Sequence, residues 1–235
     1  MADETITLRG LNRAALARQQ LLARQRRPIL ETIEALAGLQ AQLPSAPFVG
    51  LWSRLEGFRR DELLDLIRDR QVVRATMMRA TLHLTTAADY WFLRPALQTG
   101  LVAEYNSLAR RRALAGEVAT AVAAARRFFA EPHTFDEFRR LLEEHHPGVD
   151  LQALAYGVRT HLPLVQEPSG RAPWGYPGKP RFVTAESWLG QAIPETAPPR
   201  DLILRYLGAF GPARAADLQS WAGMPPLRDA FDELR

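Results

Sequence analysis

Apolar residues recur at spacings of three and four through the first third of the chain, the stripe that one face of an α-helix buries. Ile29, Ile33 and Leu36 form such a stripe, and its next position is Gln40, an amide where an apolar residue is expected. The surrounding stretch reads ALAGLQAQLPSAPFVGLW. Pro44 biases Leu43 away from helical geometry, so the spacing predicts a helix end near Leu39 to Gln42. The position of that end matters. Residues two apart point about 200° from each other on a helix but share a face in extended chain. Gln40 and Gln42 can therefore serve one small volume only where the helix has ended.

An amphipathic segment over about 10–25 precedes this helix. A second helix holds Phe48, Leu51, Trp52 and Leu55 and stops at Gly57, and a third begins near Asp61 and carries Leu63, Leu64, Leu66 and Ile67. Over 72–86 the period changes: Leu82 and Leu84 alternate with Thr81, His83 and Thr85, and β-branched residues concentrate as in a strand pair. Arg74, Thr76, Thr81 and His83 are assigned to one polar, basic face of this hairpin, with Arg79 at its tip. Three helices followed by a hairpin make a winged helix. Trp52 and Trp91 are assigned to the core.

The same order returns downstream. Thr134 followed by Glu137 is a capping-box signature opening a helix that carries Phe138, Leu141 and Leu142. HHPGVD is a turn, a helix near 150–161 follows, and LPLVQEP and PRFVTAESWL read as two strands joined by the Gly/Pro-rich SGRAPWGYPGK, a long wing. After a proline-rich linker, IPETAPPR, come a helix, a GPA turn, a helix over Leu218 and Trp221, and a short further helix. The expected fold is mainly α with small β-hairpin wings, in three tandem winged-helix units: 1–95, 96–192 and an incomplete 193–235 without its wing. The segment LVAEYNSLARRRALAGEVATAVAAARRFF is expected as one long linking helix. Arg235 falls inside an unfinished helical pattern, so a further C-terminal portion is expected.

Composition narrows the function. Zero cysteines exclude disulfides, thiolate metal sites and cysteine nucleophiles, and the adjacent His145 and His146 read as surface residues, so neither metal nor cofactor is expected. No apolar run reaches membrane-spanning length and the N-terminus lacks a secretory pattern, which makes the cytoplasm the expected compartment, without membrane association. The net charge is only +4, yet Lys179 is the one lysine among 30 basic residues. A planar, always-charged guanidinium suits phosphate and base-edge recognition, so a nucleic-acid partner becomes plausible; a genome-wide Arg/Ala bias explains the same count.

The blocks GLQAQ followed by PFVGLWSRL, then VVRATMMRATLHLTTAADYWFLRPAL, then LQSWAGM, together resemble the winged-helix DNA glycosylases typified by the azinomycin-resistance enzyme. That resemblance implies three tandem winged helices around a concave DNA surface. It also implies excision of bulky 7-alkylpurines and their crosslinks from double-stranded DNA. The family's glutamine–hydrophobic–glutamine motif falls on Gln40, Ala41 and Gln42, where a sister group carries Asp at the second position. The reading is thus a monofunctional, monomeric, nucleoid-associated bacterial glycosylase with Gln40 and Gln42 catalytic and Arg54, Arg74, Arg79 and His83 on DNA. Its alternative is a non-catalytic winged-helix DNA-binding protein or regulator in which the glutamines are structural.

Overall fold

A computed structural model describes residues 6–112, 118–145 and 148–234; the His145 side chain and His146 lie outside that description. The first segment runs α1 (Leu8–Arg18), α2 (Ile29–Ala35), β1 (Leu39–Gln40), α3 (Ala46–Trp52), α4 (Arg60–Arg68), β2 (Val72–Thr76), β3 (Leu82–Thr86) and α5 (Ala87–Ala96). The second runs α6 (Gln98–Arg112), α7 (Val118–Phe128), β4 (His133–Thr134), α8 (Phe135–His145), α9 (Leu151–His161), β5 (Leu164–Gln166), β6 (Arg181–Thr184) and α10 (Ala185–Leu189). Then come α11 (Arg200–Phe210), α12 (Ala215–Ala222) and α13 (Arg228–Asp232). Helices dominate, as the periodicity predicts. The stretch expected as one linking helix is described as α6 and α7, with 113–117 between them outside the described residues.

The six strands among the described residues join one antiparallel sheet in the order β1-β3-β2-β5-β6-β4. The pairing of Ala75 with Val165 carries the sheet from the first segment into the second without a break. The strand β2 is therefore central, and both its faces are covered. Val73 and Ala75 pack with α5, α11 and α12 through Tyr90, Leu93, Ile203 and Leu218. Val72 and Leu84 pack on the other side with Ile33, Phe48, Leu51, Leu63 and Ile67 of α2, α3 and α4. A further core gathers Phe129, Phe138, Leu154, Val158 and Phe182 under α7, α8 and α9.

Helix α2 stops at Ala35, earlier than Pro44 alone predicts. The Gly38 N–H donates to the Ile33 carbonyl at 2.9 Å and the Ala37 N–H to the Glu34 carbonyl at 3.0 Å, with Ala37 at φ 57° and Gly38 at φ 85°. This is the Schellman arrangement, which satisfies the last carbonyls by a left-handed turn. The chain then leaves the helix axis and enters β1. The capping box at α8 forms as expected, the Thr134 N–H donating to Glu137 Oε2 at 2.7 Å and the Glu137 N–H to Thr134 Oγ1 at 3.2 Å.

Two expectations about the surface are corrected. Trp52 is 55% exposed, stacked under the Arg24 guanidinium at 4.2 Å, whereas Trp91 is partly buried against the core. The loop expected as a long wing folds back on the first segment, Trp174 meeting the Phe48 ring edge-on at 5.1 Å and Tyr176 being buried. Aromatic area of that size gains more from the neighbouring core than from water.

Candidate active site

Leu39 pairs with Leu84 and Gln40 with His83, so the motif enters the sheet as an edge strand. Alternation does the rest. Ala41 is 0% exposed in the core under β3, while Gln40 and Gln42 on either side of it are exposed. The helix end therefore lies where both amides escape the buried stripe, and Gln40 is not the interior residue that the helical spacing implied.

The ladder is irregular at Gln42. The Ala41 N–H donates to the Leu82 carbonyl at 2.7 Å, and in a regular antiparallel pair the Leu82 N–H would answer to the Ala41 carbonyl. Instead the Leu82 N–H donates to Gln42 Oε1 at 2.7 Å. The Ala41 carbonyl accepts from Arg74 Nε at 2.9 Å, and the Gln42 carbonyl from Arg74 Nη2 at 3.1 Å. Arg74 Nη1 donates in turn to Gln166 Oε1. A buried guanidinium thus ties the motif to β5.

These bonds settle which way both amides point. A backbone N–H and a guanidinium only donate, so each must face an amide oxygen, and the NH2 groups of Gln42 and Gln166 are left for other partners. Both residues line a cleft of about 400 Å³ between the first and second segments, together with Arg74, Leu82, the start of α8, Arg159 and the loop around Lys179. Gln40 is not among the cleft-lining residues, and its side chain has no hydrogen-bond partner among the described residues. Four cations, Arg74, Arg139, Arg159 and Lys179, face one carboxylate there, Asp136, which pairs with Arg139 and lies 3.8 Å from Lys179.

The expected DNA-facing residues are placed differently. Arg74 is 4% exposed and His83 5%, so both are enclosed in the fold rather than displayed on an open basic face. The register also separates them: Arg74 opposes Leu84 while His83 opposes Ala75, and residues one apart on a strand point to opposite faces. His83 donates through Nδ1 to the Thr81 carbonyl at 3.1 Å. Burial pushes its pKa down to about 4, the Thr81 bond opposing that shift and nearby Arg79 adding to it. Arg54 is half-buried and donates to the carbonyls of Gln19 and Gly50, both at 2.8 Å, tying α1 to α3. Arg79 is exposed at the hairpin tip, yet its Nη1 donates to the Trp221 carbonyl at 2.6 Å.

Gln166, Arg159, Arg139 and Asp136 are cleft residues that sequence reasoning missed. Gln166 carries the signal that exposed Gln40, an amide among strand residues that are otherwise buried, and it is itself 3% exposed. Glu34 and Asp61, acids on the helices to either side of the motif, do not line the cleft. Glu34 accepts from the Thr86 hydroxyl at 3.2 Å beside a separate cavity, and Asp61 pairs with Arg60 at 3.5 Å on the exposed start of α4.

A family model described as DNA glycosylase AlkZ-like matches residues 33–235. The solved structure of Streptomyces sahachiroi DNA glycosylase AlkZ superposes with a TM-score of 0.77 at 19% identity, over 94% of this chain. The chain spans 63% of the length of that protein. No curated protein matches the chain in sequence.

Proposed function

The chain belongs to the AlkZ-like DNA glycosylase family, and on that premise we propose that it hydrolyses the N-glycosidic bond of cationic 7-alkylpurines in double-stranded DNA. The observation that carries this reading is Gln42, an exposed amide pinned at its oxygen by the Leu82 N–H at the mouth of a cation-lined cleft. Glycosidic hydrolysis needs a leaving base, stabilisation of an oxocarbenium-like sugar and a water on its other face. A 7-alkylguanine already carries positive charge. As the C1′–N9 bond breaks, its electron pair neutralises the base, which leaves without a proton from the protein. Water then forms the new bond to C1′ and gives its proton to solvent.

An amide suffices to orient that water, because the second lone pair of Gln42 Oε1 remains free and the geometry is held by β3. Gln40, two residues away and exposed, supplies the second amide of the motif. Crosslinks made through the same purine N7 present the same cationic leaving group and belong to the proposed substrate class. Strand nicking is left to later enzymes, so the reading is monofunctional. We further read the three segments, 1–95, 96–192 and 193–235, as winged-helix units that share one DNA surface.

One observation favours a second reading. Gln42 Oε1 replaces a backbone carbonyl in the ladder, a structural task that a non-catalytic DNA-binding protein would also require. Incubation with a duplex bearing one 7-methylguanine, followed by alkaline cleavage, separates the two. The glycosylase reading expects strand breakage at the lesion only after alkali; an intact strand in the presence of demonstrable binding supports the second.

A further inference from the structure

We infer that Arg159, on α9, is a phosphate-binding residue of the cleft, holding one non-bridging oxygen pair of a nucleic-acid backbone beside Gln42 and Gln166. The identity of the ligand rests on the nucleic-acid reading above; the anion-binding chemistry does not.

The other cations of the cleft already have partners. Arg74 is satisfied by two carbonyls and the Gln166 amide, Arg139 pairs with Asp136, and Lys179 lies 3.8 Å from the same carboxylate. Arg159 differs. It is half-buried, and among the described residues it has no ion pair or hydrogen bond, its buried Nε included. Nor is it loose. Its guanidinium lies 4.3 Å from the Phe135 ring centroid and 5.5 Å from that of Phe182, so aromatic faces fix the fork in place. Burial disfavours its charge most, nearby Arg139 acts in the same direction, and Tyr156 opposes both. A cation kept half-buried beside a like charge with no counter-ion is costly, and an incoming anion removes that cost.

The shape of the missing partner follows from the donors. A rigid fork with unpaired N–H groups matches two oxygens of one tetrahedral or planar anion, the geometry in which arginine exceeds lysine. Arg159 also lines a second, smaller cavity, which shares Phe135 and Arg139 with the cleft and adds Arg112 and Tyr156. A chain that occupies both cavities would meet Arg159 in each. A polyanionic strand fits that path better than a single small anion.

The experiment uses the whole chain. In the wild type, the guanidinium N–H resonances of Arg159 are followed by NMR during titration with inorganic phosphate, then with a short unmodified duplex. The expected result is a saturable shift of the Arg159 signal with both, tighter with the duplex. In parallel, duplex affinity is measured against salt for the wild type, Arg159→Gln and Arg159→Lys. Loss of one phosphate contact lowers the slope of log affinity against log salt by about 0.9. Arg159→Gln should therefore lose about that much slope and about tenfold in affinity at low salt. Arg159→Lys should retain the slope and lose affinity, since it keeps the charge but not the fork. Unchanged slopes in a folded Arg159→Gln variant, or an Arg159 resonance unmoved by duplex, overturn the inference. A shift with phosphate alone reduces the site to free-anion binding and overturns the backbone assignment. Should Arg159→Gln fail to fold, the wild-type resonance and the Lys variant decide by the same criteria. None of these readouts requires base release, so absence of glycosylase activity leaves the inference standing on its own result.

Discussion

At the scale of single residues, roles divide by what each side chain touches. Gln42→Ala is expected to slow release of 7-methylguanine by about a hundredfold or more with little change in duplex affinity, because a group that orients water acts mainly in the transition state. Single-turnover excision beside a binding isotherm checks this, and equal losses in both would make Gln42 structural. Its stability cost should be about 1 kcal/mol, since the Leu82 N–H loses one partner near solvent. Arg74→Ala is a different experiment from the one the sequence suggests. The residue is buried and donates to three acceptors, so the substitution should cost about 3 kcal/mol, read as a lowered denaturation midpoint, without changing the salt dependence of DNA binding. Asp136 tests the mechanism, being the one carboxylate among the cleft-lining residues. With a cationic leaving base, Asp136→Asn should leave excision within about threefold; a hundredfold loss would transfer the water-activating role to Asp136.

At the scale of elements, the motif depends on how α2 ends. Gly38 sits at φ +85°, and a Cβ there would lie 3.2 Å from the Leu84 carbonyl oxygen. Gly38→Ala should lower stability by about 1–2 kcal/mol, seen in a thermal melt, and should disturb β1 enough to slow excision more than it weakens binding. Much of this element was legible in the sequence: the stripe, the anomalous amide and the need for extended chain between the glutamines. The stop itself was misplaced. Pro44 predicts an end near Leu39 to Gln42, but Ala37 and Gly38 terminate the helix first, a glycine just after the last periodic residue being the commoner helix terminator. The hairpin was legible as two strands, but not its facing. An isolated hairpin shows one polar and one apolar side, whereas this one lies mid-sheet with helices on both faces, where even Arg74 and His83 are enclosed.

At the scale of the whole molecule, two buried groups give stability an uneven response to acid. His83 has its pKa depressed to about 4, so the unfolded state binds the extra proton between pH 6.5 and 4 and stability falls as pH drops through that window. Asp89, raised to about 6 mainly by burial, with Arg205 opposing and Glu34 adding, is protonated first in the folded state, so it contributes the opposite slope between about pH 6 and 4. His83→Gln should therefore remove about 3 kcal/mol of acid sensitivity at pH 4, and Asp89→Asn should expose the full histidine slope, both measured by denaturant titration across that range. Excision should stay flat between about pH 6 and 8 in the wild type and in His83→Gln, because His83 is neutral throughout and no amide titrates. A step in that range would require a titrating group at the reacting centre. Across the chain, sequence alone determined the helical class, the recurring order of helices and strands, and the two amides flanking a small apolar residue, because periodicity, caps and turn residues are local properties of the chain. Tertiary structure alone decided that β2 and β5 join two segments into one sheet, that Arg74 holds the motif and Gln166 together, and that Gln166 and Arg159 line one cleft with Gln42. Those contacts link residues far apart in the sequence, and their partners are chosen by the packing of whole elements rather than by anything written near them.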